Sequence, residues 1–150
     1  MAFEEKLTWV NAIVTVIVAG AYFAIVGARL GDTTVDRIAY QIPMIVAIVA
    51  SVVLTIVGTI AAAIGSAVTA EITGEGSIDE VDRSDERDKD INRRGELAGY
   101  YASSIGLIAA LALAMTRQDA FWIANAIYMS FVIATVVSSV TKLVLYRRGF

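Results

Sequence analysis

The side chains able to do chemistry are concentrated in one stretch, Asp79-Glu-Val-Asp-Arg-Ser-Asp-Glu-Arg-Asp-Lys-Asp90. Clustered carboxylates suggest a hard cation such as calcium or magnesium, which takes oxygen ligands. The stretch fails as a calcium loop of the helix–loop–helix type, because no window has alternating acids, a central glycine and a distal glutamate at the required spacing. Arg87 and Lys89 sit among the acids and would compete with a bound metal. Asp85 with Lys89 and Asp90 with Arg94 are i,i+4 pairs, and Asp90 with Arg93 is an i,i+3 pair, the pattern of a solvated helix face. Acid–base or nucleophilic catalysis would rest on Ser84 or Tyr100 beside Asp85 and Arg94, a constellation without the paired carboxylates or activated nucleophile that such chemistry needs. No enzyme activity and no cofactor are expected.

The remaining composition removes further chemistry. The 150 residues include no cysteine and no histidine, so thiol redox chemistry, structural zinc and histidine-based proton transfer lose their usual groups. Net charge is −3, against nucleic-acid binding by a general basic surface. A hydrophobic content of 57% exceeds the roughly 45–50% of soluble domains, and the mean hydropathy is +0.69. The class implied is an integral membrane protein.

Four apolar runs must position the charged stretch: Trp9 to Ala28, Ile42 to Ala70, Leu97 to Met115 and Ala120 to Thr141. Each reaches about the 20 residues that a bilayer core of about 30 Å requires. The first is too long for a signal-peptide core, and Glu4 and Glu5 spoil the positive flank such a signal carries. Pro43 stands where a first-turn proline marks a helix start. The second run exceeds the bilayer and should tilt or project on its Glu71 side. Ten acidic and five basic residues between Glu71 and Glu96 give that segment a local net charge of −5, which places it in water. No strong breaker separates it from the third run, so one helix is expected from about Ser84 to Met115, with Asp82 or Ser84 as N-cap and its first turns outside the lipid.

The predicted fold is therefore an all-α membrane protein, one domain over residues 1–150, with four transmembrane helices arranged as two hairpins. The third helix is expected to extend into the cytoplasm, and residues 71–96 to form a charged loop and juxtamembrane helix. Lys6, the five cations of the charged segment, Lys142, Arg147 and Arg148 lie on one side, and Arg29, Arg37 and Arg117 on the other. The positive-inside rule then puts both termini and the charged segment in the cytoplasm, in a multi-pass protein of the cell inner membrane.

In lipid, helices associate through close approach at small residues and through polar contacts. Ala98, Ala102, Gly106, Ala110 and Ala114 recur every four residues, as do Ala126, Ser130, Ala134 and Ser138; Gly20, Ala24 and Ala28, and Gly58 with Ala62, extend the pattern. These stripes would pack one bundle or form the seam of a homo-oligomer, a dimer being favoured. No Asp, Glu, Lys or Arg lies inside the runs, which argues against a proton- or ion-coupled transporter. Asn11 and Asn125 are the most polar groups there, either on a polar path or bonded between helices.

Asp85-Glu-Arg-Asp-Lys-Asp-Ile-Asn-Arg-Arg-Gly-Glu-Leu-Ala-Gly-Tyr100 resembles the acidic–basic–aromatic segment that precedes a transmembrane helix in families of small uncharacterised prokaryotic membrane proteins. The resemblance singles out Asp85, Glu86, Arg87, Ile91 and Arg94 as a docking surface for another membrane or cytoplasmic protein, and brings no chemistry with it. Arg87 with Ile91, and Ile91 with Arg94, share a helix face, while Gly95 and Gly99 would either admit a neighbouring backbone or break the helix. The expected role is an accessory, regulatory or immunity-like subunit embedded in the lipid bilayer. The alternative is a homo-oligomeric channel or uncoupled carrier of a small solute.

Overall fold

The computed structural model describes residues 3–30, 34–73 and 86–148. They form four long helices: α1 (Phe3–Arg29), α2 (Gln41–Thr73), α3 (Glu86–Met115) and α4 (Ala120–Arg148), with a 3-10 turn at Val35–Arg37 between the first two. All four are long and apolar enough to cross a membrane. The fold is thus all-helical and of multi-pass membrane type. Pro43 stands in the first turn of α2, where its missing N–H has no helical carbonyl to lose. The expected caps Asp82 and Ser84, with the rest of residues 74–85, lie outside the described residues.

Local chemistry fixes the ends. α3 stops in a Schellman closure, in which Gln118 N–H reaches Leu113 O at 3.0 Å and Arg117 N–H reaches Ala114 O at 3.0 Å. That closure needs a left-handed residue, and Arg117 adopts φ 57° there without being glycine. Arg29 donates to Ala39 O at 3.0 Å, fastening the end of α1 to the segment that enters α2. At the other end Lys6 Nζ donates to Ser66 Oγ at 3.0 Å.

The helices associate as a row in the order α2, α1, α4, α3: α1 packs on α2 and on α4, and α3 packs on α4. Among the described residues no other helix pair forms more than isolated contacts. The α3–α4 seam is the most extensive, and small residues make it so. A Cβ added at Gly106 would overlap the Ser130 side chain, and one at Gly99 would lie 2.9 Å from Ala134 O. Ser130 and Ala110 are buried in the same seam. Gly95 and Gly99 therefore admit a neighbour and do not break the helix. Ala102 and Ala134 are half-buried.

The other stripes behave differently. Gly58 takes Val10 into the space a side chain would fill, with 2.5 Å between its ideal Cβ and Val10 Cγ1. Gly20 has no packing neighbour within this chain: nothing approaches within 4 Å of a Cβ placed there, and it is exposed. The reason is rotational. α1 turns Val18, Ala19, Tyr22 and Val26 toward its neighbours, which leaves Gly20 and Ala24 on the outer face.

An aromatic and aliphatic cluster closes one end of the α2–α1–α4 region. Val18, Tyr22, Val26, Ile38, Ala47 and Phe121 form its buried part, with Phe23, Tyr40 and Tyr128 among the residues against it. The rings meet edge to face, Tyr22–Tyr128 at 4.9 Å and Tyr40–Phe121 at 5.3 Å between centroids, the geometry their quadrupoles favour.

Candidate functional site

Because α2 and α4 are held apart by α1, a cleft runs between them with α1 as its floor. Its polar end is a cavity of about 220 Å³ to which all four helices contribute. On α1 the lining residues include Glu4, Thr8 and Asn11; on α2 they are Thr55 and Thr59; on α3, Asn92; on α4, Ser138, Ser139 and Lys142. A contribution from every helix means that the row is bent, with this cavity on its concave side.

A larger, apolar cavity of about 540 Å³ continues the cleft. It begins at a ring of three hydroxyl residues, Thr15, Ser51 and Thr135, and proceeds past Val52, Phe131 and Ile48 to Met44 and Tyr128. The two cavities are lined by successive residues on the same faces of α1, α2 and α4. Glu4, Thr8, Asn11 and Thr15 are spaced 4, 3 and 4 apart, one face of a helix; Thr59, Thr55 and Ser51 lie along one face of α2, and Lys142, Ser138 and Thr135 along one face of α4. Polarity therefore falls along a single cleft, from ionic groups through amides and hydroxyls to hydrocarbon, and ends against the Tyr22–Tyr128 aromatic cluster.

Lys142 is the least ordinary group in the polar end. Its side chain is only 17% exposed, lies against Gly95, and among the described residues pairs only with Glu96, at 3.8 Å. Glu96 is itself 74% exposed, so the pair is long, solvated on one side and weak. Any side chain at position 95 would collide with the Lys142 stem, so that glycine sets where the ammonium can lie. One turn further along α4 the Tyr146 hydroxyl is buried with no hydrogen-bond partner among the described residues.

The two asparagines expected to mark a polar path part company. Asn11 lines the polar cavity. Asn125 accepts a 2.8 Å hydrogen bond from Tyr22 Oη and donates one of 2.8 Å to Phe121 O, which makes it a tie between α1 and α4. Ser103 and Ser104 bond back to Tyr100 O in their own helix.

The charged start of α3 divides in a similar way. Glu86, Arg87 and Arg94 are exposed, and Arg94 Nε pairs with Asp90 at 2.8 Å. Ile91 is only 2% exposed, which corrects its expected place on a docking surface. An apolar residue flanked by charges turns inward when a neighbouring helix offers cover, and Gly95 and Gly99, buried four and eight residues further on, continue its face against α4. Asp85 lies outside the described residues.

Sequence reasoning missed the convergence of Glu4 and Lys142, which were read respectively as an argument against a signal peptide and as an orientation signal. The detectable sign was polar residues at helical spacing on α1, α2 and α4. Among the described residues no group of three acidic, histidine or cysteine side chains could hold a metal ion. Comparison with protein-family models, with curated proteins and with solved structures returned no match.

Proposed function

We propose that this protein is a non-enzymatic integral membrane subunit that acts by interaction, in an accessory, regulatory or immunity-like role. In this reading it lies in the cell inner membrane with both termini and the charged segment cytoplasmic, as the excess of Lys and Arg at that end favours. The observation that carries the reading is the way the first turns of α3 are held. Glu86, Arg87, Lys89, Asp90, Arg93 and Arg94 are exposed, while Ile91 and Gly95 beneath them are buried on α4. A charged helix clamped on one side has little conformational entropy to lose when a partner binds the other, which favours recognition. The docking face is accordingly Glu86, Arg87, Arg94 and their charged neighbours, with Ile91 as its anchor.

A channel or solute carrier would need polar lining through the depth of the helices. Here the polar lining stops at Thr15, Ser51 and Thr135, and Asn125 is already occupied by Tyr22. The likeness of the 85–100 segment to uncharacterised prokaryotic membrane proteins agrees with an interaction role without specifying a partner.

The test is site-specific photocrosslinking in native membranes from Lys89 and Arg93. A discrete protein adduct that is lost in the double variant Arg87→Glu/Arg93→Glu is the expected result. Adducts to lipid alone, or a pattern unchanged by charge reversal, would contradict the proposal.

A further inference from the structure

A cleft that is ionic at one end, hydrogen-bonding in its middle and hydrocarbon along the rest has the polarity profile of a single membrane amphiphile. We propose that it binds one phospholipid with a zwitterionic headgroup, the phosphate at Lys142, the ammonium at Glu4, and an acyl chain in the groove that runs from Thr15 toward Tyr128. This inference does not depend on the role assigned to the charged face of α3.

Three observations select this occupant. The polar cavity is lined by one acid and one base, Glu4 and Lys142, with Leu7 and neutral amides and hydroxyls between them, and the charges beside it are also of both signs, Glu96 at Lys142 and Asp88 and Arg87 near Tyr146. A headgroup with one charge of each sign leaves neither uncompensated, whereas an anionic lipid faces Glu4 and a cationic amphiphile faces Lys142. Secondly, Lys142 is largely withdrawn from solvent yet its one carboxylate partner among the described residues is 3.8 Å away and mostly solvated. A charge held in that way gains from a short charge-assisted contact, which a phosphate oxygen supplies. Thirdly, the apolar cavity of about 540 Å³ falls within the range of about 300–1,000 Å³ typical of small-molecule sites. From Lys142 to Ala124 the α4 wall runs about 27 Å at 1.5 Å per residue, long enough for an extended acyl chain.

A helix from a second copy suits the cleft less well. It could fill the apolar groove, but it would reach Lys142 and Glu4 only if the charged end of one of its helices came to the same height, whereas a lipid carries its charges and its hydrocarbon in one molecule. A free polar solute would leave the groove without a role. A lipid satisfies both ends at once.

The test uses the full chain in mild detergent, with dioleoylphosphatidylethanolamine as the probe and native mass spectrometry as the readout. One lipid per chain is expected. Ser51→Trp and Thr135→Trp, which fill the groove, and Lys142→Met, which removes the phosphate contact, should each lower the bound fraction by about tenfold or more. Ile105→Trp, on the exposed face of α3, should leave it unchanged. Because a groove variant could misfold, the deciding variant is Glu4→Gln in the first turn of α1, which should shift preference toward dioleoylphosphatidylglycerol while helicity and elution volume stay constant. Binding that is insensitive to all four cleft substitutions would overturn the proposal. So would equal retention of the two lipids by the unaltered chain, competition by free phosphoethanolamine as strong as by the whole lipid, or a lipid-free dimer.

Discussion

The α3–α4 seam and the α2–α4 cleft lie in one molecule, in one solvent, and are built from equally apolar helices, yet one is closed and the other open. In the seam, glycines at 99 and 106 face Ala134 and Ser130, so both surfaces are low at the same heights and the backbones meet, while Gly95 makes room for the Lys142 stem. At the cleft, α2 has one such position, Gly58 against Val10, and its wall is otherwise Ser51, Val52, Ile48 and Met44. Lipid gives helices no hydrophobic reason to close, so backbones come together where small residues face small residues, while α1 meets α4 through the Tyr22 and Tyr128 rings instead. Where small residues do not meet, α1 acts as a spacer and a cleft remains.

Enlarging a residue in the closed seam should have the largest effect. Gly106→Leu drives a side chain into Ser130 and should cost about 3 kcal/mol, the upper part of the range for overpacked interiors, read as a lowered midpoint of unfolding in detergent–denaturant mixtures. Gly58→Leu meets the Val10 side chain and no backbone atom, and about 1–2 kcal/mol is expected. If the two variants were equally damaging, the contrast between a backbone seam and a side-chain contact would be lost.

Smaller effects sharpen the same contrast. Tyr22→Phe removes the hydrogen bond to Asn125 and should cost about 0.6 kcal/mol, at most about 2, the span measured for interhelical bonds in membranes. Tyr146→Phe removes a buried hydroxyl that meets no hydrogen-bond geometry but lies beside the Asp88 carboxylate, and a change of about 1 kcal/mol or less is expected. Gly20→Ala, where a methyl group meets nothing, should be neutral or gain up to about 1 kcal/mol in helix propensity. The same unfolding measurement ranks all five, and destabilisation by Gly20→Ala would show that α1 has a neighbour on that face.

The helices themselves were legible from residue types. Apolar run length gave four spans, Pro43 gave the start of α2, and the absence of breakers before Leu97 anticipated a third helix that begins well ahead of its apolar run, observed as Glu86–Met115. The α3–α4 contact was legible too, because only the short polar turn Thr116–Asp119 joins the two helices. What the sequence did not convey was the rotation of each helix about its axis. In a soluble protein an apolar stripe points to the core, but in lipid the outer face is equally apolar, so the stripe of Gly20, Ala24 and Ala28 resembles a packing face and is not one within this chain. Ile91 was misplaced for the complementary reason, since charged neighbours in sequence suggest a surface while helical periodicity turns one residue in four inward. The cleft escaped notice because its ionic groups, Glu4 and Lys142, are 138 positions apart in the chain and meet only through the bent row.

The openness of that cleft is the central claim, and the absence of cysteine allows it to be measured directly by disulfide formation in native membranes. The pair Val10→Cys/Gly58→Cys should crosslink readily, its Cβ atoms being 3.8 Å apart, the mean separation in disulfides. The pair Ser51→Cys/Thr135→Cys, on opposite walls of the cavity of about 540 Å³, should remain reduced under the same oxidant and be joined only by a longer bifunctional reagent. Disulfide formation at 51 and 135 as fast as at 10 and 58 would mean that α2 and α4 are in contact, and would contradict the account.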